Sequence, residues 1–103
     1  VTWKIFKEVC EWANDPARGK AKGYANFDVI LSLAQNGAIR EVGAKFGDPH
    51  PYTEDGPVMP VCCISYHAAL VWCNAYSEIS GLSPVYYYKK DGEQKIIKDA
   101  TTN

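Results

Sequence analysis

Long apolar runs, net charge and familiar catalytic motifs are all lacking in this sequence. No apolar run approaches the roughly 18 residues that a membrane-spanning helix needs, so we expect no transmembrane segment. The formal net charge is only −1, which leaves no basic surplus to attract nucleic acid or an anionic membrane. The sequence also shows no phosphate-binding loop, no H-E-x-x-H motif and no Ser-His-Asp set. Its composition therefore favours neither a nucleic-acid-binding nor a membrane-spanning protein.

Cysteine is scarce as well, with four residues and no C-x-x-C or zinc-like pair. Cys62 and Cys63 are adjacent in an apolar run, where neighbouring side chains of a strand point to opposite faces and suit one metal ion poorly. A disulfide ring between them would distort the strand, so we expect them not to be bonded to each other. We interpret these two, together with Cys10 and Cys73, as buried free thiols. A redox or copper-binding pair at Cys62 and Cys63 is the alternative.

What the chain does contain is enough for one small domain with a modest core, because 47% of its 103 residues are hydrophobic. The most informative stretch runs from Gly56 to Tyr88. Its apolar residues 58–64 predict a short buried strand. Ser65 has the character of a helix N-cap, and the helix predicted after it covers residues 66–80. Gly81 supplies the left-handed residue that commonly ends a helix.

The flanking regions predict less regular structure. Apolar residues at three- and four-residue steps predict a first helix from Trp3 to about Asn14, with Thr2 as its N-cap. Residues 24–33 are consistent with a strand or an extended buried edge segment. Residues 34–57 contain many glycines and prolines and predict a long surface loop, which in a compact domain is often functional.

Two short segments predict turns. The basic residues 17–23 indicate a solvated loop, with an anion contact as the alternative. Asp91-Gly92 lies between the β-rich residues 85–88 and residues 94–98, and this dipeptide is typical of a type I′ hairpin turn.

Few side chains qualify as candidates for chemistry. His67 falls in the first turn of the central helix, where the helix dipole disfavours its protonated form, and we interpret it as structural or cap-associated. His50 is a loop residue with no partner in its pattern. Asn74 and Glu78 are one helical turn apart, but two oxygen ligands do not make a calcium site. We therefore assign no catalytic and no metal-ligating residue.

An aromatic cluster is a further candidate for ligand contact. Tyr86, Tyr87 and Tyr88, with Trp72 and Tyr76, could form a platform for a carbohydrate or a peptide. The interpretation that we favour is strand alternation, with Tyr87 on one face, Tyr86 and Tyr88 on the other, and the phenol groups at the boundary of the core. The ligand-binding residues stay unassigned at this point.

Two segments resemble a known family. Residues 60–87 contain the pattern P-V-x-x-I-S-Y-H-A-A-x-x-W-C-N-A-Y-S-E-x-x-G-L-x-P-V-Y-Y, and residues 1–13 read V-T-W-K-I-F-K-E-V-C-E-W-A. Both resemble the formylglycine-generating enzyme, or sulfatase-modifying-factor, domain. The family usually has tryptophan at the position of Tyr66 and aspartate at that of Ala68, and the second departure weakens any polar network around His67.

The resemblance implies an α+β, C-type-lectin-like fold in which two helices pack on a small, mostly antiparallel sheet. It also implies that residues 24–33 are an extended, loosely ordered segment after the first helix, which is the prediction that we adopt. Residues 1–103 would be the N-terminal portion of one such domain, because the family's G-Y-R-L-P-T-E-A-E-W-E segment normally follows a stretch like the last residues here. The C-terminal half of the domain would then be a partner of this chain. In some family members the cysteine at the position of Cys73 forms a disulfide with that half, which is the alternative to a plain core thiol. The family's oxidases bind copper(I) through two cysteines of that half, so copper or calcium would enter only through it.

Two function classes follow from the resemblance. The first is a non-catalytic ligand-binding module, secreted, periplasmic or surface-displayed, because many bacterial members have lost the oxidase cysteines and some C-type-lectin-fold members are diversified by retroelements. The alternative is part of a copper-dependent oxidase that converts a sulfatase cysteine to formylglycine. An activator without its own chemistry is a weaker third class. The ligand, whether protein, peptide or carbohydrate, is not specified.

The amount of apolar surface gives a final expectation. The first helix and the central helix both present a broad apolar face, while the chain supplies only short strands and one hairpin. An isolated hairpin is marginal in water. We therefore expect that the chain is not a self-sufficient functional unit and that a sheet from elsewhere covers these helices.

Overall fold

A computed structural model describes residues 3–38, 61 and 64–101. The helices are α1 (Trp3–Asn14), α2 (Phe27–Ala38) and α3 (Tyr66–Ile79), with a short 3₁₀ turn at Lys20–Lys22. The strands are β1 (Tyr87–Lys90) and β2 (Glu93–Ile96), which form one antiparallel pair. The described part of the chain is therefore α+β, as predicted, but it has three helices where two were expected.

Helix α1 has the predicted bounds. Its buried side chains recur at helical spacing and form one stripe: Trp3, Phe6, Val9, Cys10 and Ala13. The stripe faces α2 and α3, which cover it from two sides. Such a short amphipathic helix is stable mainly through this packing. The predicted cap, Thr2, lies outside the described residues.

The turn after α1 is held tightly against the end of that helix. The amide of Gly19 donates to the Trp12 carbonyl oxygen at 3.0 Å. A Cβ atom on Gly19 would lie 2.4 Å from the Cα of Ala13, closer than any side chain tolerates. Since the φ of Gly19 is an ordinary −64°, lack of space and not backbone conformation requires glycine here. The turn thus fixes where residues 20–26 leave α1.

Helix α2 corrects the prediction for residues 24–33, which are not an extended segment. After Asn26, which has a φ of +64°, the chain turns into a helix at Phe27. Phe27, Ile30 and Ala34 lie at three- and four-residue steps and are all buried, and α2 packs on α1. Packing on α1 therefore overrides the β preference of the apolar run. Residues 34–38, predicted as the start of a loop, are helical, and residues 39–57 lie outside the described part.

Helix α3 begins and ends as its sequence predicts, to within one residue. The Ser65 Oγ accepts from the Ala68 amide at 3.0 Å, which confirms the N-cap. At the other end Gly81 has a φ of +77°. The amides of Gly81 and Leu82 donate to the carbonyls of Glu78 and Ser77, a Schellman arrangement. Of the strand predicted over residues 58–64, only Val61 and Ile64 are described; neither is in a strand, and both are half-buried against the core.

The predicted type I′ hairpin turn is confirmed. Asp91 has a φ of +53° and Gly92 a φ of +82°, and Lys90 pairs with Glu93 across the two-residue turn. The strands themselves are shifted from the predicted segments by one or two residues, since they cover 87–90 and 93–96. Both strands are largely exposed.

The core lies between the helices and is rich in aromatic rings. Phe6 of α1 stacks on Trp72 of α3 with ring centroids 6.0 Å apart, and the Trp72 indole donates to the Phe6 carbonyl at 3.4 Å. Tyr24 and Phe27 meet edge to face. The expectation that a sheet must cover the face of α1 is therefore wrong, because other helices cover it.

Candidate functional site

Asn74 of α3 anchors the base of the hairpin. Its side chain is fully buried. The Nδ2 group donates to the carbonyls of Tyr86, at 2.9 Å, and Ile97, at 3.0 Å, while Oδ1 accepts from the Tyr86 amide at 3.1 Å. The carboxamide thus stands in the place of a peptide group at the end of the β1–β2 ladder. Sequence reasoning considered Asn74 only as a calcium ligand; an asparagine on the buried face of a helix was the signal for this role.

A hydrogen bond between His67 and Asp99 connects the segment after β2 to the start of α3. The Nε2 atom of His67 lies 2.8 Å from the Asp99 carbonyl oxygen. A carbonyl can only accept, so Nε2 carries the proton. The Asp99 carboxylate is held in turn, since its Oδ1 accepts from Asn26 Nδ2 and from the Thr101 amide. This geometry agrees with the structural role predicted for His67.

The basic turn also meets the segment after β2. The Ala25 amide donates to the Lys98 carbonyl, and the Ala100 amide donates to the Ala25 carbonyl, both at 3.0 Å. The Lys98 ammonium donates to the Lys22 carbonyl at 2.6 Å. The Lys22 ammonium lies 3.7 Å from the Glu78 carboxylate of α3. Part of the predicted solvated loop is therefore tied to both neighbours.

These connections frame a groove of about 660 Å³ beside the hairpin. It is lined by Gly23, His67, Tyr87, Tyr88, Lys90, Ile96, Ile97, Lys98 and Asp99. The lining combines phenol rings, two ammonium groups and an imidazole with the apolar Ile96 and Ile97. Phenol rings stack on flat ligand faces, and ammonium groups bind acidic groups of a ligand. The groove can bind and orient a ligand through contacts of these types.

The aromatic cluster divides between this groove and the core. Tyr86, Tyr87 and Tyr88 are between 40% and 50% exposed, so all three side chains are partly open to solvent. The register places Tyr87 opposite Ile96 and Tyr88 opposite Lys95, consistent with the predicted alternation of faces. Trp72 is only 6% exposed and belongs to the core. A binding platform in the groove can therefore include Tyr87 and Tyr88 but not Trp72. Tyr86 does not line the groove, and Tyr76 stacks on Trp72.

A buried phenol and a carboxylate lie behind the groove. In the described part of the chain, the Tyr24 hydroxyl and the Glu78 Oε2 atom are both buried, and the contact between these two residues falls outside ordinary hydrogen-bond geometry. Burial, and then the nearby Glu78 carboxylate, raises the pKa of Tyr24 well above its usual range. The Lys98 ammonium lies 5.2 Å from the centre of the same ring. Tyr24 therefore stays un-ionised at neutral pH.

The described cysteines are protonated core residues, as predicted. Burial, followed by the charge of Glu11, raises the pKa of Cys10 to about 12. Burial also raises the pKa of Cys73, which packs against the core. Both thiols are free. Cys62, Cys63 and His50 lie outside the described residues, so the prediction about a Cys62–Cys63 bond stays a prediction.

The described residues contain neither a metal-binding group nor a membrane-spanning helix. Among residues 3–38, 61 and 64–101, no three His, Cys, Asp or Glu side chains are grouped so as to hold a metal ion. No helix in the same ranges is long and apolar enough to cross a membrane. Comparisons with protein-family models, with curated proteins and with solved structures found no match to this chain.

Proposed function

We propose that this chain is a non-catalytic ligand-binding module of the formylglycine-generating-enzyme-like, C-type-lectin-fold class. The observation that carries the proposal is the groove beside the hairpin, where exposed tyrosines and lysines meet a solvent-facing hollow of about 660 Å³. The class is proposed from the resemblance of residues 1–13 and 60–87 to that family.

The nucleophiles in the described part of the chain are in unreactive states, which suits a binding role. Cys10 is fully buried and its pKa of about 12 keeps it as a thiol at neutral pH, whereas the thiolate is the reactive form and the metal ligand. Cys73 shows the same direction of shift. The imidazole of His67 is engaged with the Asp99 carbonyl through Nε2. No observation here favours the alternative of a copper-dependent oxidase.

The groove suits a ligand with a flat or extended part and some acidic character. Tyr87 and Tyr88 offer ring faces and phenol groups, and Lys90 offers an exposed ammonium group. Pockets of this kind recognise peptides as well as sugars, since both present hydrogen-bonding groups beside apolar surface. In this proposal the C-terminal half of the domain is a further partner, and the protein is secreted, periplasmic or surface-displayed.

The test is an NMR titration of the isotope-labelled protein with two probes, a chitin tetrasaccharide and an extended acidic peptide. We expect one of them to shift the amide signals of Tyr88, Lys90 and His67. Tyr88→Ala should weaken that binding, while Tyr66→Ala should not, because Tyr66 is 81% exposed and does not line the groove. Shifts that avoid the groove with both probes would contradict the proposal.

A further inference from the structure

The hydrogen-bond pattern of the hairpin shows which backbone groups point away from it. The Ile97 amide donates to the Tyr86 carbonyl at 3.2 Å, which identifies that pair as hydrogen-bonded. Hydrogen-bonded and non-hydrogen-bonded pairs alternate along an antiparallel ladder. The pair Lys89–Gln94, like the pair Tyr87–Ile96, is therefore non-hydrogen-bonded. The N–H and C=O groups of Tyr87 and Lys89 consequently point outward from β1.

The two edges of the hairpin are not equivalent. Just past the end of β2, Ala25 bonds to Lys98 and Ala100 and so occupies the base of the outer edge of β2. For Gln94 and Ile96 of β2 itself, the described residues provide no backbone partner on that side. For Tyr87 and Lys89 of β1, the described part of the chain provides no backbone partner at the outer edge. The side chain of Tyr87 is half exposed as well. Among the described residues, the outer edge of β1 is therefore open to another strand.

The charge of the hairpin limits what can pair there. Residues 85–98 carry four lysines, at 89, 90, 95 and 98, against two acidic residues, Asp91 and Glu93. A second copy of the same edge would bring Lys89 and Lys90 close to identical lysines, and lysines on edge strands discourage such pairing. An acidic strand has the opposite charge and gains from the same lysines.

From these observations, the geometry points to the β1 edge as a docking site for an extended acidic peptide segment of a partner protein, added as a third antiparallel or parallel strand. This inference rests on the proposed binding function and names its ligand class. Main-chain hydrogen bonds from Tyr87 and Lys89 supply affinity that tolerates sequence variation. The lysines and the groove tyrosines supply the preference for acidic over basic peptides.

The experiment measures binding of a fluorescent ten-residue peptide of alternating glutamate and threonine by anisotropy, with the full chain. The matched probe alternates lysine and threonine. We expect the glutamate peptide to bind about tenfold or more tightly than the lysine peptide, because several exposed charge pairs change sign. Its binding should weaken as salt is added. Equal binding of the two peptides, or no binding of the glutamate peptide, would overturn the inference.

Two proline variants test which edge of the hairpin binds the peptide. Lys89→Pro removes an outward amide of β1, and Gln94→Pro removes an outward amide of β2 directly opposite. Neither removes a bond within the hairpin ladder. We expect a loss of about tenfold or more in peptide binding for Lys89→Pro and little change for Gln94→Pro. Lys89→Gln controls for the lost charge, and the Hα–Hα contact between Tyr87 and Ile96 in NMR spectra reports that the hairpin is intact.

The outcomes separate this inference from the proposed function. If the tetrasaccharide shifts groove signals while the glutamate peptide does not bind, the binding function stands and strand addition is refuted. Equal losses in the two proline variants would also refute the β1 edge. If the chain dimerises without peptide and Lys89→Pro abolishes the dimer, the occupant is a second copy and the inference is wrong.

Discussion

At the scale of single residues, Asn74 connects helix α3 to the base of the hairpin. One carboxamide satisfies backbone groups of both Tyr86 and Ile97 from a fully buried position. Its removal leaves those groups in a place that water reaches poorly, and unpaired buried polar groups are costly. The connection between α3 and the hairpin therefore depends on this side chain.

We predict that Asn74→Ala lowers the free energy of unfolding by on the order of 2–4 kcal/mol, because buried hydrogen bonds are broken and a small cavity is left. Asn74→Asp should be at least as damaging, since a carboxylate would face two carbonyl oxygens. Urea denaturation followed by tryptophan fluorescence measures both. The matched control is Asn36→Ala on the exposed side of α2, which should change stability by less than about 0.5 kcal/mol. Similar effects at the two sites would contradict this role for Asn74.

The raised pKa of the Cys10 thiol predicts how the stability of the fold depends on pH. Its pKa is about 12 in the folded chain against 9.0 for an ordinary thiol. Below pH 9 both states hold the proton, so Cys10 contributes no pH dependence. As the pH rises from 9 towards 12 the unfolded chain releases its proton first, and stability falls. Comparison with Cys10→Ala in urea denaturation at pH 8 and pH 10.5 isolates the effect, and an equal loss in the two proteins would refute it.

At the scale of elements, the hairpin turn depends on one glycine. Gly92 has a φ of +82° and no atom within 4 Å of the position of a Cβ, so the constraint is conformational and not steric. We expect Gly92→Val to cost on the order of 1 kcal/mol or more, because a branched residue resists positive φ. Loss of the Hα–Hα contact between Tyr87 and Ile96 in NMR spectra would show that the substitution disrupts the hairpin. Asp91→Asn should preserve that contact, since asparagine also tolerates the left-handed region.

The elements that the sequence predicts are those with local signals. The stripe of α1, the Ser65 cap and Gly81 stop of α3, and the Asp91-Gly92 turn each act within a few residues of where they occur. Helix α2 could not be predicted in this way, because its apolar run fits a strand as well as a helix and packing on α1 decides the matter. The same holds for the site. The contact of His67 with Asp99 and that of Asn74 with Tyr86 join distant parts of the chain.

At the scale of the whole molecule, the core belongs to the helices and leaves apolar side chains uncovered. Tyr66, Leu82, Val85 and Leu33 are each more than half exposed. Each of these side chains keeps apolar area in contact with water, and burying that area would be favourable. This exposure, and not the need to cover α1, leads us to expect that the isolated chain associates.

We predict that residues 1–103 expressed alone show a broad thermal transition, bind a hydrophobic dye such as anilinonaphthalene sulfonate, or self-associate. The exposed apolar side chains and the marginal hairpin are the reasons. Calorimetry, dye fluorescence and analytical ultracentrifugation test the three effects. A sharp thermal transition of a monomer that does not bind the dye would refute the prediction.

The hydrogen bonds between Ala25 and the segment Lys98–Ala100 affect the order in which parts of the chain fold. They connect positions more than seventy residues apart, as does the neighbouring Asn26–Asp99 bond, with a separation of 73. Closing such a loop costs chain entropy before any contact repays it, and high contact order slows folding. Helices α1 and α2, which are adjacent in sequence, can associate much earlier. Substitutions at the buried Ala100 should therefore accelerate unfolding and leave the folding rate nearly unchanged, as for residues that dock after the transition state.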